Sequence, residues 1–229
     1  MNSNKKTARI VGVLFIIATV FSILGGVFIV PSLDDPDYLI KVSANENQVL
    51  IGVLFELIAA GAVAGTGITL FPIFRKHNET LALGYAGGRI IEAVTIIVAA
   101  LGALLLLTLS REYVAGAPDA SSFQTLGTLL RAVRDWTNLL GPIFVLSINA
   151  LMLNSVFYQS RLIPRWLSVW GLIGATLVLA AGLLRLFGLD PFSPISIVLT
   201  LPIALFEMVL AVRLIVKGFN SSAIASESA

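Results

Sequence analysis

Residues 81–109 read LALGYAGGRIIEAVTIIVAALGALLLLTL, a stretch in which the only charged residues are one arginine and one glutamate. An α-helix needs about 20 mostly apolar residues to cross the hydrocarbon layer of a bilayer. This stretch is longer than that, and a soluble core could not hide such a run from water. It therefore predicts a transmembrane helix.

Five further stretches of comparable length and hydropathy are spread along the chain. Of the 229 residues, 57% are hydrophobic and 12% are charged, whereas soluble domains carry roughly 25% charged residues. We therefore predict an all-α fold, a polytopic membrane helix bundle of about six transmembrane helices. The predicted spans lie near residues 10–30, 49–74, 81–109, 136–159, 166–186 and 195–217.

The predicted spans form one transmembrane domain over residues 1–220, and the small, polar residues 221–229 predict a disordered tail. Because the first span follows several basic residues, it has some likeness to a secretory signal. Its apolar stretch is longer than the roughly 7 to 15 residues of a signal core, and no A-x-A cleavage site follows it. We interpret it as an uncleaved first membrane helix.

Lysine and arginine residues collect on one side of the predicted bundle, and cytoplasmic loops are known to carry such an excess. The side of the N-terminus holds Lys5, Lys6, Arg9, Arg75, Lys76, Arg161, Arg165, Arg213 and Lys217. The opposite side holds Lys41, Arg111, Arg131 and Arg134, with the acids Asp34, Asp35, Asp37, Glu46, Glu112, Asp119, Asp135 and Asp190. We therefore predict a multi-pass protein of a bacterial plasma membrane with both termini in the cytoplasm.

Several classes of function are disfavoured by what the sequence lacks. A formal net charge of +2 gives no indication of a nucleic-acid partner. There is no cysteine, and the only histidine, His77, falls in a short predicted loop, so neither a zinc site nor a Ser/His pair is expected. No nucleotide-binding or metalloprotease motif occurs. The sequence thus predicts no catalytic residue, no cofactor and no metal, and a non-enzyme is favoured over an enzyme.

Once the charges at the membrane interfaces are set aside, four ionisable residues remain inside the predicted spans: Glu56, Arg89, Glu92 and Glu207. Counting about 1.5 Å per residue from the predicted helix ends places them all near the middle of the bilayer. A charge there costs at least ~2.5 to 3.5 kcal/mol, so these side chains are expected to face one another inside the bundle. Arg89 and Glu92 are three residues apart and can pair directly. Glu56 and Glu207 would then compete for the one arginine.

Three carboxylates and one guanidinium leave an excess of negative charge in this predicted cluster. Desolvation and mutual repulsion are expected to keep at least one glutamate protonated near neutral pH. A protonated carboxyl group in the middle of a membrane is typical of proton relays. Asn149 and Asn154 of the fourth span are candidates for a polar lining. The alternative is a buried ion-pair network that only fixes how the helices fit together.

Residues 121–135 carry apolar residues at helical spacing among polar ones. The pattern indicates either a helix lying on the outer surface or an outward extension of the fourth span. Here Arg131, Arg134 and Asp135 form either an outer-surface patch for lipid headgroups or an anionic ligand, or a plain solvated face. Arg185, near the outer end of the fifth span, is expected to reach the interface rather than the charged cluster.

Glycines and prolines predict where the helices approach one another or bend. Four-residue spacings of glycine allow close helix contact in lipid, and a proline inside a helix removes a backbone donor and usually bends it. The candidates are the pairs Gly61/Gly65 and Gly84/Gly88 and the prolines Pro142 and Pro202.

Several segments together resemble a known family. They are the helix of Glu56 and the sequences ARIVGVLFI at 8–16, GGRIIEA at 87–93, SRLIPRWLSVWGLIGA at 160–175 and PIALFEMVLAVRLIVKGF at 202–219. With them, nearly the whole chain resembles the bacterial six-helix membrane proteins of the domain of unknown function 4386 (DUF4386) family. The resemblance implies a bacterial membrane protein of this architecture and supplies no catalytic residues.

Three hypotheses for the function remain open at this stage. The first is a small proton-coupled permease or channel-like protein, expected as a homodimer, with Glu56, Glu92 and Glu207 as proton or cation sites and Arg89 as counter-charge. The second is a non-catalytic membrane module that binds lipid or a partner protein. The third is an intramembrane enzyme that acts on lipid with a glutamate as acid or base. The bilayer is the one partner that the sequence itself specifies.

Overall fold

The computed structural model describes residues 3–116 and 120–220, and these residues form helices joined by short loops. The predicted tail at 221–229 and the acid Asp119 lie outside the described residues. The helices are α1 Ser3–Leu33, α2 Tyr38–Ala44, α3 Glu46–Phe74, α4 Glu79–Val114, α5 Ala120–Leu139, a π-helical segment Leu140–Val145, α6 Leu146–Ser160, α7 Arg165–Leu186 and α8 Pro194–Val216.

Six helices of the described chain are long and apolar enough to cross a membrane, which confirms the predicted all-α polytopic bundle. Five of them are α1, α3, α4, α7 and α8. The other is a continuous helix, Ser121–Ser160, made of α5, the π-helical segment and α6. Residues 121–135 are therefore an extension of the fourth span, and the alternative of a separate surface helix is wrong.

Apolar side chains cover the outside of the bundle, and charged side chains lie inside it. Ile23, Ile68 and Val198 are each more than 60% exposed, whereas Arg89 and Arg134 are no more than 4% exposed. A soluble monomer rarely exposes apolar surface on this scale. The pattern is that of a protein for which lipid is the solvent, and the buried charges of such a protein must find partners within the bundle.

The two ends of the bundle differ in charge. At the basic end, Asn220 bonds to the backbone oxygens of Leu162 and Arg161, and Arg9 donates to the oxygen of Ile215, which joins the two termini to the α6–α7 loop. At the acidic end, ion pairs link Arg111 to Glu46 and Arg131 to Asp34. Consecutive spans therefore run antiparallel, as the short loops require.

α4 is much longer than a bilayer crossing needs. The 36 residues of α4 extend about 54 Å, whereas the hydrocarbon layer is about 30 Å thick. At the acidic end α2 and α5 pack beside α4, where the Tyr38 hydroxyl donates to the Gln124 oxygen at 3.1 Å. This projecting part covers one end of the bundle and brings the arginines of α5 close to α1 and α4.

Glycines mark several of the closest helix contacts. Gly84 faces Met152 and Gly88 faces Asn149, which confirms this predicted pair as a contact between α4 and α6. In the other predicted pair Gly65 packs on Leu14 of α1, but Gly61 faces open space, so the prediction for Gly61 is wrong. Pairs of glycines at this spacing also arise by chance in a small-residue-rich apolar sequence.

Pro142 and Pro202, the two prolines predicted to bend their spans, behave differently. Pro142 lies in the π-helical segment Leu140–Val145, a widened turn where the fourth span departs from α geometry. Such segments often occur at functional positions. α8 continues as one helix from Pro194 to Val216 with Pro202 inside it.

Gly12→Ala is expected to destabilise the protein because a methyl group there would lie 2.6 Å from the backbone oxygen of Ala211 on α8. Forcing the two helices apart should cost about 1–3 kcal/mol of unfolding free energy. Thermal unfolding in detergent measures this. The matched control is Gly26→Ala in the same helix, where a methyl group meets nothing within 4 Å. Equal effects of the two changes would contradict the close packing of α1 on α8.

Candidate functional site

Arg89 of α4 lies inside the bundle, with 4% of its surface exposed. Its Nη1 donates to both carboxylate oxygens of Glu92 at 3.0 Å, and its Nε donates to the Tyr85 hydroxyl at 3.1 Å. The three side chains meet because residues three and four apart lie on one face of a helix. The predicted pairing of Arg89 with Glu92 is confirmed.

Neighbouring helices add further contacts to this pair. Asn149 of α6 donates its Nδ2 to Glu92 at 2.7 Å. The ring of Phe15 on α1 lies 5.3 Å from the guanidinium carbon of Arg89, within cation–π range. Thr66 of α3 lies 3.5 Å from the Tyr85 hydroxyl, with oxygen facing oxygen. The arginine is thus surrounded by polar and aromatic groups from several helices rather than by lipid.

Glu207 reaches the same arginine from α8. One of its carboxylate oxygens lies 3.9 Å from Nη2 of Arg89, which is ion-pair distance but too long for a hydrogen bond. The Glu207 side chain is 15% exposed, whereas that of Glu92 is 3% exposed. We define the Arg89 network as Tyr85, Arg89, Glu92, Asn149 and Glu207. It contains two carboxyl groups and one guanidinium, so one carboxyl group has no cation of its own.

Glu56 does not join this network, and the prediction that it competes for Arg89 is wrong. It forms an ion pair with Arg134, which also donates to the backbone oxygen of Ala99 at 2.8 Å. Two parallel bonds link the pair, since Nη1 and Nη2 of Arg134 each reach a different oxygen of Glu56. Such a bidentate geometry is the strongest form of an arginine–carboxylate contact.

The charges inside the bundle therefore form two groups. About ten residues of α4 separate Arg89 from Ala99, the residue beside the Glu56–Arg134 pair, which corresponds to about 15 Å along the helix axis. The Arg89 network lies nearer the basic end and the Glu56–Arg134 pair nearer the acidic end. The charges cancel in the Glu56–Arg134 pair, whereas they do not cancel in the Arg89 network.

Arg134 is the site residue that the sequence does not place correctly, because the pattern of residues 121–135 puts it in an outer-surface patch or on a solvated face. It is 3% exposed and pairs with Glu56, so that assignment is wrong. One signal was present in the sequence. Gly127, Arg134 and Gly141 are seven residues apart and lie on one buried face of the fourth span. An extension of the fourth span through residues 121–135, which is one of the two predicted alternatives, turns Arg134 inward.

The two predicted lining residues differ in their contacts. Asn149 belongs to the Arg89 network, whereas Asn154 donates its Nδ2 to the Ala150 oxygen of its own helix at 2.9 Å and packs against Gly171. Asn154 therefore lies in the contact between α6 and α7, away from Arg89.

The remaining predicted residues lie at the acidic end. Arg131, Asp135 and Arg185 line one cavity there, and Arg185 stays outside the Arg89 network as the sequence predicted. Within residues 3–116 and 120–220, no three histidine, cysteine or acidic side chains converge in a way that could hold a metal ion.

Comparison with known proteins identifies a family. The family model described as a domain of unknown function (DUF4386) matches residues 10–218, which is most of the chain. No curated protein and no solved structure matches the sequence. The matched residues contain both charged groups, five of the six apolar helices and α1 from residue 10 onward.

Arg89→Gln is expected to lower the unfolding free energy by about 3–5 kcal/mol, because it leaves Glu92 buried without its counter-charge. Chemical or thermal unfolding in lipid bicelles measures this loss. The control is Arg111→Gln, which removes an arginine from an ion pair whose side chains are 50% and 38% exposed. Water screens that pair, so its loss should matter far less. Similar losses from the two substitutions would show that the Arg89 network is not a buried ion-pair site.

Proposed function

The chain belongs to the DUF4386 family, and we propose that it is a small membrane permease whose proton-binding group is Glu207 in the Arg89 network. The observation that carries the proposal is the unequal number of charges around Arg89. Two carboxyl groups face one guanidinium. Of the two, Glu92 accepts hydrogen bonds from Arg89, whereas Glu207 lies only at ion-pair distance. A proton on Glu207 removes the unmatched negative charge from a lipid-surrounded interior.

Exposure also favours Glu207 over the other buried acids. Its side chain is 15% exposed, while those of Glu56 and Glu92 are 9% and 3% exposed. A proton-binding group is reached more readily at the edge of a polar network than at its centre. Glu92 and Glu56 are each held by two arginine hydrogen bonds, which suits them to act as fixed ion-pair partners.

Loss of the proton gives a reason for the helices to move. An ionised Glu207 attracts Arg89 more strongly than a neutral one and competes with Glu92 for the same guanidinium. Arg89 and Glu92 lie on α4, and Glu207 lies on α8, so protonation changes the force between two membrane helices. Two arrangements that differ in one such contact are what a proton-coupled conformational change requires.

The membrane orientation forms part of the same proposal. The basic end, with Lys5, Arg75 and Arg161, faces the cytoplasm because lysine and arginine accumulate on that side of a bacterial plasma membrane. The proton site then lies closer to the cytoplasmic end, about 15 Å of α4 from its basic terminus.

A second candidate function has its own supporting observation. The Glu56–Arg134 pair is bidentate, buried and balanced in charge, which suits a purely structural role. If the Arg89 network were structural as well, the protein would be a non-catalytic membrane module that binds lipid or another protein. The two candidates differ in whether Glu207 changes its protonation near neutral pH.

Glu207→Gln fixes the side chain in a form that resembles the protonated acid. In proteoliposomes with an internal pH-sensitive dye, we expect the variant to lose proton flux while keeping its fold, because Arg89 still has Glu92. Infrared spectroscopy of the wild type should show a protonated carboxylic acid band at neutral pH, and this band should be absent from the variant.

The matched control is Glu112→Gln, an exposed acid at the acidic end, which should leave flux and spectrum unchanged. A wild-type protein with no proton flux, or with no protonated acid band that depends on Glu207, would exclude the permease and favour the structural module.

A further inference from the structure

The acidic end of the bundle holds a cavity of about 470 Å³ that lies apart from the proposed proton site. Its walls come from the end of α1, from α5 and the π-helical segment, and from the end of α7 with the loop that follows. A volume in this range is typical of small-molecule sites. The lining combines apolar side chains with three arginines and two aspartates.

Two of these arginines already have acidic partners. Arg134 is bound by Glu56, and Arg131 lies 3.6 Å from Asp34. Their charges are thus largely used within the protein. A ligand in the cavity has to be recognised by the charged groups that remain.

Arg185 is the cation that remains. Its Nε donates to the Ser196 hydroxyl at 2.8 Å and its Nη2 donates to the Pro191 oxygen at 3.1 Å. These neutral partners hold the guanidinium in place without cancelling its charge. No described carboxylate forms an ion pair with it, although Asp190 attracts it from a longer distance.

Asp135 is the anion that remains in the same cavity. It forms no hydrogen bond or ion pair with any described residue, and Arg131 and Arg134 attract it only from beyond 4 Å. The cavity therefore presents one available positive group and one available negative group. A ligand that carries both a negative and a positive charge matches this pair, whereas a simple anion would be repelled by Asp135.

We propose that this cavity binds a phospholipid whose headgroup carries a phosphate and a primary ammonium group, as in phosphatidylethanolamine. Arg185 binds the phosphate, for which a guanidinium offers paired donors. Asp135 accepts hydrogen bonds from the ammonium group. The site shares no residue with the Arg89 network, so the lipid site can be tested independently of the proposed proton site.

The walls of the cavity favour a lipid over a soluble zwitterion. Trp136 is 52% exposed and Phe192 is 71% exposed, so two large rings flank the cavity at the end of the bundle. Aromatic rings at this level are typical of the membrane interface. Leu139 and Ile143 continue the apolar wall toward the bundle, where an acyl chain would lie.

Native mass spectrometry of the full chain in detergent tests this site with phosphatidylethanolamine, phosphatidylglycerol and soluble glycerophosphoethanolamine. We expect the wild type to bind phosphatidylethanolamine more tightly than phosphatidylglycerol and to bind the soluble compound weakly. Arg185→Gln should weaken binding of both lipids about tenfold or more, because a hydrogen bond between charged groups is lost. Asp135→Asn should weaken only phosphatidylethanolamine and so abolish the preference between the two lipids.

Matched controls are Lys41→Gln and Glu112→Gln, which remove exposed charges from the same end without touching the cavity. Both should bind lipid as the wild type does. Thermal unfolding verifies that each variant is folded. If Arg185→Gln does not fold, the Asp135→Asn variant still tests the proposal, because Asp135 is exposed. A preference for phosphatidylglycerol, equal binding of the soluble headgroup, or lipid preference unchanged by Asp135→Asn would overturn the proposal.

Discussion

The free-energy cost of a charge in a lipid-surrounded interior determines how the helices of this protein pack. Moving a single charged side chain to the middle of a bilayer costs at least ~2.5 to 3.5 kcal/mol, so every buried acid and arginine must contact a partner. The outside of the bundle is apolar, and the charged side chains turn inward toward α4. The charges constrain the arrangement of the helices that meet at these contacts, which are α1, α3, α4, α5, α6 and α8.

The buried charged side chains of this bundle find their partners in two different arrangements. Around Glu56 and Arg134 the charges are equal in number and the geometry is bidentate, which gives a fixed contact between α3 and α5. Around Arg89 a second carboxyl group, that of Glu207, lies at ion-pair distance without a hydrogen bond. A surplus carboxyl group is suited to bind a proton, whereas a balanced pair is not. We therefore propose a structural role for the Glu56–Arg134 pair and a functional role for the Arg89 network.

The sequence predicted the six spans and the Arg89–Glu92 pair because both follow from local periodicity, namely apolar length and a three-residue spacing on a helix. It did not predict that Glu56 pairs with Arg134. That contact joins residues 78 positions apart and depends on how far α5 continues the fourth span. The sequence did predict that Glu207 approaches Arg89, because a carboxyl group in the middle of a bilayer has to reach a cation. Which helices bring the two side chains together is set by packing and not by the periodicity of any one helix.

A double-mutant cycle on Glu56 and Arg134 tests most directly whether charge pairing in lipid holds the bundle together. Glu56→Leu and Arg134→Met are each expected to lower the unfolding free energy in bicelles by about 3–5 kcal/mol, because each leaves one buried charge alone. The double variant should be more stable than the sum of the two losses predicts, since it contains neither charge. Strictly additive losses, or single variants as stable as the wild type, would contradict the account.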